Sequence, residues 1–448
     1  MMTSPALGVQ RPRLRVALLL ATLLPVAANA AGLYIPMKGA TSTGLAAVGM
    51  ASLAEDGSTL FYNPAGATQL RGAFAEMGAD IVGASISISD RGSSVSTPGT
   101  LGATQALTGR KGDNDGWVPV PSLFLGTPVA DGDVWLGLAI TAPYGLKLKY
   151  AKDWFGRYDS YDNKLTTVNT APTLAYRINN AWSVGGGIDF QYAKATLISA
   201  LPDPLNPGGP TAATDGRSKL TGDDWDVGFN VGLMYHPSEQ TRVGLHYRSG
   251  LDYELAGDLK VSDLRGPLAA ANGTSKTHTR ISMPDIASLS LTQAITPRLT
   301  LTGEVQWFGW DAFDEIRIKF DDGSPDTVRP QGYKNTYTVG LSAQYSLNPR
   351  WTLRGGVQYD ESPATNSLRN TSIPDSNLTW FGIGASYHVS DDLQLDFGFV
   401  RGVFERAKID LTIPVYAGTP LASTVNVRGE TGSHVDTLSF ALRYRFGS

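Results

Sequence analysis

The sequence predicts an all-β fold, a fourteen-stranded antiparallel transmembrane β-barrel with an N-terminal plug of short helices in its lumen. Three observations lead there. Apolar and polar residues alternate with period two from about Gly72 to the end. Short turns alternate with long polar connections along that stretch. Residues 31–71 break the pattern with a small-residue-rich segment unlike anything after them.

Composition narrows the class. Of 448 residues only 17% are charged, while 50 are glycine, 18 tyrosine and 9 tryptophan. Such numbers suit many strands with interfacial aromatic girdles better than helices. Cysteine is absent, which removes disulfide frameworks and thiolate metal sites. At the N-terminus, Arg11, Arg13 and Arg15 precede an apolar run, Val16 to Val26, and an Ala28-Asn29-Ala30 cleavage pattern. This reads as a cleaved secretory signal over residues 1–30. Its removal leaves 418 residues and takes the net charge from −4 to −7, with no basic patch and no expected nucleic-acid partner. No later run of 18 apolar residues offers a membrane-spanning helix.

The strand signal is repeated and regular. Trp182, Val184, Gly186, Ile188, Phe190 and Tyr192 share one face, opposite Ser183, Gly185, Gly187, Asp189 and Gln191. The same division recurs from Trp225 to Tyr235, from Trp351 to Tyr359, and from Phe440 to Phe446. Apolar faces that begin or end on Trp or Tyr place rings at two membrane interfaces with aliphatics between them. Short turns are expected near 128–131, 179–180, 237–240, 296–297, 348–349 and 390–391. Long loops are expected near 90–115, 142–164, 200–222, 257–278, 321–333, 361–377 and 410–430. Six turns and seven loops separate fourteen strands over residues 72–448, with both ends on the periplasmic side of an outer membrane.

A barrel of that size needs a lumen that is either a water channel or plugged. Residues 31–71 supply the plug. A helix over Thr43 to Ala54 is weakened by Gly44 and Gly49, Asp56-Gly57 breaks it, and Asn63-Pro64-Ala65 turns the chain. Many small residues and few large apolar anchors suggest a loosely held gate.

These residues resemble the outer-membrane hydrophobic-compound transporter family, which includes long-chain fatty acid transporters and toluene and xylene uptake proteins. The resemblance rests on AGLYIPMKGATSTGLAAVG and FYNPAG in residues 31–66, and continues through APYGL at 142–146, DWDVGFNVGLMY at 224–235, MPDIASLSL at 283–291 and GYKNTYTVGLSAQY at 332–345. It covers nearly the whole mature chain. The resemblance implies passive uptake of long-chain fatty acids or related apolar compounds, with aromatic or aliphatic hydrocarbons as the alternative cargo. It further implies capture in an apolar pocket, rearrangement of the N-terminal hatch, and lateral exit beside a kinked third strand. Gly137, in the expected third strand Asp133 to Thr141, is the candidate kink or else a lumen-facing glycine. Positions that meet a fatty acid's carboxylate in the family correspond to Ala142, Ser199 and Lys334, of which only Lys334 is cationic. Asn63, Pro64, Ala65 and Gly137 are therefore the candidate gating residues. Lys334, Trp310 and Phe313 are the candidate substrate contacts, with a rim lysine and membership of the outer aromatic girdle as their alternatives.

Other chemistry is poorly supported. His236, His246, His278, His388 and His434 lack partners at metal-ligand spacing, and no catalytic site, metal or cofactor is expected. His434, Asp436 and Ser439 hint at a barrel hydrolase, but parity puts His434 and Asp436 on the lipid side, near the rim. A lipid-modifying enzyme and a structural or adhesive barrel are the rival classes. Arg177, Asp189, Asp226, Arg248, Glu304, Arg354 and Asp360 fall on the polar face, where they would brace barrel and plug. The expected surroundings are outer-membrane lipid and lipopolysaccharide, around a monomer.

Overall fold

The computed structural model describes residues 33–447. The expected signal peptide lies outside the described residues. Fourteen strands form one closed antiparallel barrel. They are β1 (Ala73–Asp90), β2 (Gly112–Val129), β3 (Val134–Thr141, resuming as Gly145–Lys149), β4 (Asp162–Arg177), β5 (Trp182–Leu201), β6 (Gly216–Ser238) and β7 (Thr241–Arg248 and Leu251–Ser262). There follow β8 (Gly273–Met283 and Ile286–Ala294), β9 (Leu299–Phe308 and Glu315–Phe320), β10 (Thr327–Pro330 and Thr336–Asn348), β11 (Trp351–Asp360), β12 (Leu378–His388), β13 (Leu393–Phe404 and Lys408–Val415) and β14 (Ser423–Phe446). The barrel closes where β1 pairs with β14, from Ala73 opposite Phe446 to Asp90 opposite Gly429.

The alternation in sequence is the alternation of faces. Leu438, Phe440, Leu442 and Tyr444 on β14 point outward and are exposed, as are Val227, Phe229 and Val231 on β6. Rings mark the two membrane interfaces. Trp182 stacks on Tyr235 at 4.2 Å near the short turns, and Tyr192 meets Trp225 at 5.2 Å toward the long loops. Ten residues separate the rings on each strand, about 33 Å of chain, or roughly 25 Å along the membrane normal at a tilt near 40°. That is the height of the apolar band of such barrels.

Three expected loops are shorter than their polar stretches. β5 runs to Leu201 and β6 starts at Gly216, β7 runs to Ser262 and β8 starts at Gly273, and β13 and β14 leave only residues 416–422 between them. Above the membrane a strand faces water, so polar residues there carry no loop signal.

The lumen holds the N-terminal segment as α1 (Ala40–Gly44), α2 (Met50–Leu53), α3 (Thr59–Tyr62) and a 3-10 turn, Pro64–Gln69. The expected helix over Thr43 to Ala54 is split. Ala46 and Ala47 take positive φ, as does Gly49, and these residues separate α1 from α2.

Candidate functional site

The third strand is broken, but not at Gly137. Gly137 keeps regular pairing with Gly126 on one side and Thr173 on the other. The break lies at Ala142–Tyr144, where three residues of β3 face Thr167 and Val168 of β4. The Thr167 hydroxyl accepts from the Tyr144 amide at 3.0 Å and donates to its carbonyl at 2.6 Å, replacing a stretch of ladder. Gly137 has another use. A Cβ there would come within 2.5 Å of the Leu60 side chain of α3, so the glycine admits the plug.

Beyond the break the wall is open. Among the described residues, β2 pairs with β3 only over Leu123–Val129, and residues 112–122 have no ladder on that side. Their pairing with β1 continues unbroken through Pro119 and Pro121. Proline donates no ladder bond, so the donorless side of β2 is the one turned toward β3. A side-chain bond crosses the gap, from the Lys149 amide to Asn114 Oδ1 at 2.9 Å.

The N-terminal segment docks on the broken strand. Tyr34 forms a bridge with Tyr144, the Ile35 amide donates to Pro143 O at 2.9 Å, and the Gly145 amide donates to Leu33 O at 2.9 Å. Leu33 also lines two interior cavities in the half of the barrel toward the long loops. The first is an apolar cleft of about 80 Å³, whose walls include Leu165, Leu197, Leu255, Phe313 and Ile373. The second, about 50 Å³, is walled by Tyr34, Phe308, Trp310, Tyr333 and Trp380 together with Asp360, Glu361 and Asp375.

Trp310 and Phe313 are thus both interior, brought together by the short 3-10 turn Trp310–Ala312. Each packs edge-on against Tyr333, at 5.9 and 5.0 Å between ring centres. The Tyr333 hydroxyl is buried with no hydrogen-bond partner among the described residues. Burial in the loop after β11 pushes the Asp375 carboxyl up to about 7. Lys334, by contrast, is half-exposed and lines neither cavity. Its Nζ lies 2.6 Å from Glu361 Oε1.

The plug is held firmly, which corrects the expectation of a loose gate. Glu304 on β9 accepts the amides of Gly49 at 2.5 Å and Met50 at 2.8 Å. Glu76 accepts the Gly57 amide at 2.9 Å, Ser52 bonds Ser290 at 2.6 Å, and Thr43 bonds Ser439 at 2.6 Å. Arg248, paired with Asp189, donates to Phe61 O at 2.7 Å, and Arg177 donates to Thr68 O. Asp226 instead accepts the Asp252 amide between β6 and β7. Asn63 donates to Ala51 O at 2.7 Å and Leu233 O at 3.1 Å, and its Oδ1 accepts the Ala65 amide at 3.2 Å. Lumen-facing glycines make the fit possible. A Cβ on Gly232 would fall 1.9 Å from Asn63 Oδ1, and one on Gly185 would fall 2.5 Å from the Ala65 amide. Small residues here serve close approach, not looseness.

His434 and Asp436 face outward on β14, and Asp436 pairs with Arg401 at 2.7 Å. Ser439 faces inward, where it donates to Asp80 at 2.5 Å. The three residues do not converge.

Comparison with known proteins agrees with this geometry. The profile described as outer membrane protein transport protein (OMPP1/FadL/TodX) matches residues 21–446. The chain belongs to this family. It is an outer-membrane transporter of hydrophobic compounds. It is 27% identical to a long-chain fatty acid transport protein of Escherichia coli O6:H1 over 405 residues, covering 84% of this chain and 87% of that protein. It is 26% identical to outer membrane protein P1 of Haemophilus influenzae, covering 96% and 98%. A Pseudomonas aeruginosa FadL homologue superposes with a TM-score of 0.81 at 21% identity, over 93% of this chain and all of that one. The Pseudomonas putida toluene transporter TodX superposes at 0.68 and 17%, over 94% and 100%, and supports the fold alone.

Proposed function

We propose that this FadL-family barrel takes up long-chain fatty acids or related apolar compounds passively. The cargo enters the apolar cleft, displaces the segment carrying Leu33, and leaves sideways through the opening between β2 and β3. The observation that carries this reading is the double role of Leu33, which walls both cavities while its carbonyl is bonded to the broken third strand. Lateral exit passes an apolar molecule from cleft to bilayer without re-exposing it to water, which would cost roughly 25 cal/mol per Å². The cleft's 80 Å³ falls below the roughly 300–1,000 Å³ of ligand sites, so this is a closed state that must widen around cargo. Trp310 and Phe313 are the substrate contacts, and Asn63-Pro64-Ala65 is the hatch anchor. Gly137 seats Leu60 of the hatch.

A second cargo class, neutral aromatic or aliphatic hydrocarbons, is favoured by one observation. The polar cavity is lined by Asp360, Glu361 and Asp375 and by no cation, and Lys164, the lysine in the lining of the apolar cleft, is exposed. Ala142 and Ser199 supply none either, and Lys334 is committed to Glu361. We read the chain as a monomer among outer-membrane lipid and lipopolysaccharide, because β1 closes on β14 within one chain. Uptake of labelled oleate and of toluene into proteoliposomes tests the reading. Transport of either cargo is expected, and transport of neither would favour a structural or enzymatic barrel.

A further inference from the structure

The periplasmic mouth carries a feature that the proposed route does not use. A cavity of about 350 Å³ opens there between hatch and wall. Five arginines line it: Arg71 where the hatch joins β1, Arg242 on β7, Arg354 on β11, and Arg443 and Arg445 on β14. Glu55 is the one carboxylate of the lining. Arg354 approaches Glu55 and Asp396, each at 3.7 Å, and Arg443 approaches Glu76 at 3.8 Å. Asp391 offers Arg445 only a backbone carbonyl, at 3.5 Å. The side chains of Arg71 and Arg242 make no ion pair or hydrogen bond among the described residues. One of these two guanidiniums therefore belongs to the hatch and the other to the wall, and both face the same space.

We propose that this cavity is an oxyanion site, taking a phosphate or carboxylate group between Arg71 and Arg242 with Arg445 beside them. The planar guanidinium fork matches both anions, and the excess positive charge in a walled cavity favours them over neutral molecules. A bound anion bridges hatch and barrel, so it clamps the hatch shut. The site is distinct from the apolar cleft, and its occupancy is measured directly, without recourse to transport.

The test is titration of the intact detergent-purified protein with inorganic phosphate, acetate and octanoate, each in low-salt, phosphate-free buffer. We expect saturable one-to-one binding that weakens as sodium chloride rises. Arg71→Gln with Arg242→Gln should lower the affinity at least tenfold. These two are chosen because their loss strands no buried carboxylate. Arg242→Lys should retain part of the affinity. Octanoate binding more tightly than acetate would identify the head group of an apolar acid. Equal binding of the two, with phosphate stronger, would identify a free oxyanion. Phosphate should also slow amide exchange over residues 54–71 in the wild type but not in the double variant. Absence of saturable binding, or binding unchanged in the double variant, overturns the proposal.

Discussion

Replacing Asn63 with Ala should loosen the hatch while leaving the barrel closed. The side chain makes three hydrogen bonds, as donor to Ala51 O and Leu233 O and as acceptor from the Ala65 amide. Asn63 is fully buried, so water does not replace those partners without entry into the lumen. At about 1 kcal/mol net for each bond, the closed hatch loses about 3 kcal/mol. A tenfold change in an equilibrium corresponds to about 1.4 kcal/mol, so the opening equilibrium of the hatch shifts roughly 100-fold. Native-state hydrogen exchange measures this directly. Amides of α3 and of the following 3-10 turn should exchange roughly 100-fold faster. Amides in the β1–β14 ladder, which owe nothing to Asn63, should be unchanged. Unaltered hatch exchange would refute the anchor role. An equal acceleration in β1 and β14 would show instead that the hatch and barrel open as one unit.

Three further outcomes follow from the site. A disulfide between cysteines at Asn114 and Lys149, which already bond across the open wall at 2.9 Å, should reduce uptake at least tenfold and reverse on reduction; undiminished uptake in the locked protein removes the lateral route. Lys334→Ala should change oleate and toluene uptake alike and by less than about twofold, because a half-exposed pair with Glu361 contributes only about 0–1 kcal/mol; a selective loss of oleate uptake would restore a head-group role. The Asp375 carboxyl is raised by burial to about 7, above its unfolded value, so its contribution to loop stability is complete at low pH and is lost as pH rises through about 7. Amide protection in residues 361–377 should therefore be at least about tenfold greater at pH 5 than at pH 8, and Asp375→Asn should remove the difference; an unchanged pH response in that variant would assign it elsewhere.

The barrel was legible because period-two alternation and aromatic ends are consequences of the membrane itself. Strand length above the membrane was not, since Arg217 or Lys260 on a solvated strand looks like a loop residue. The sequence left Gly137 as either a kink or a lumen-facing glycine, because glycine alone is a weak cue. Gly137 sits in an intact ladder, whereas Pro119, Pro121 and Pro143, each unable to donate, mark the gap and the break. The anchoring of the hatch was readable only in pairs. Gly185 and Gly232 looked like ordinary lumen positions, and their meaning depends on Ala65 and Asn63 lying against them.

The firmness of the hatch constrains how such a gate can move. Glu304, Glu76, Arg248, Asn63, Ser52 and Thr43 together tie α1 to α3 to the barrel by at least eight bonds. At about 1 kcal/mol each, wholesale expulsion would demand about 8 kcal/mol, equivalent to a micromolar ligand spending all of its binding energy. The segment before α1 is a cheaper moving part. Leu33 to Ile35 is joined to the broken strand by two backbone bonds, and it already reaches into both cavities. Cargo that takes the place of Leu33 therefore has to break about 2 kcal/mol of contacts to part the segment from residues 142–144, which stay tied to Thr167 beside the unpaired stretch of β2. On this accounting the hatch helices serve as the fixed floor against which the segment moves. The Asn63→Ala variant should then leak small solutes without accelerating specific uptake.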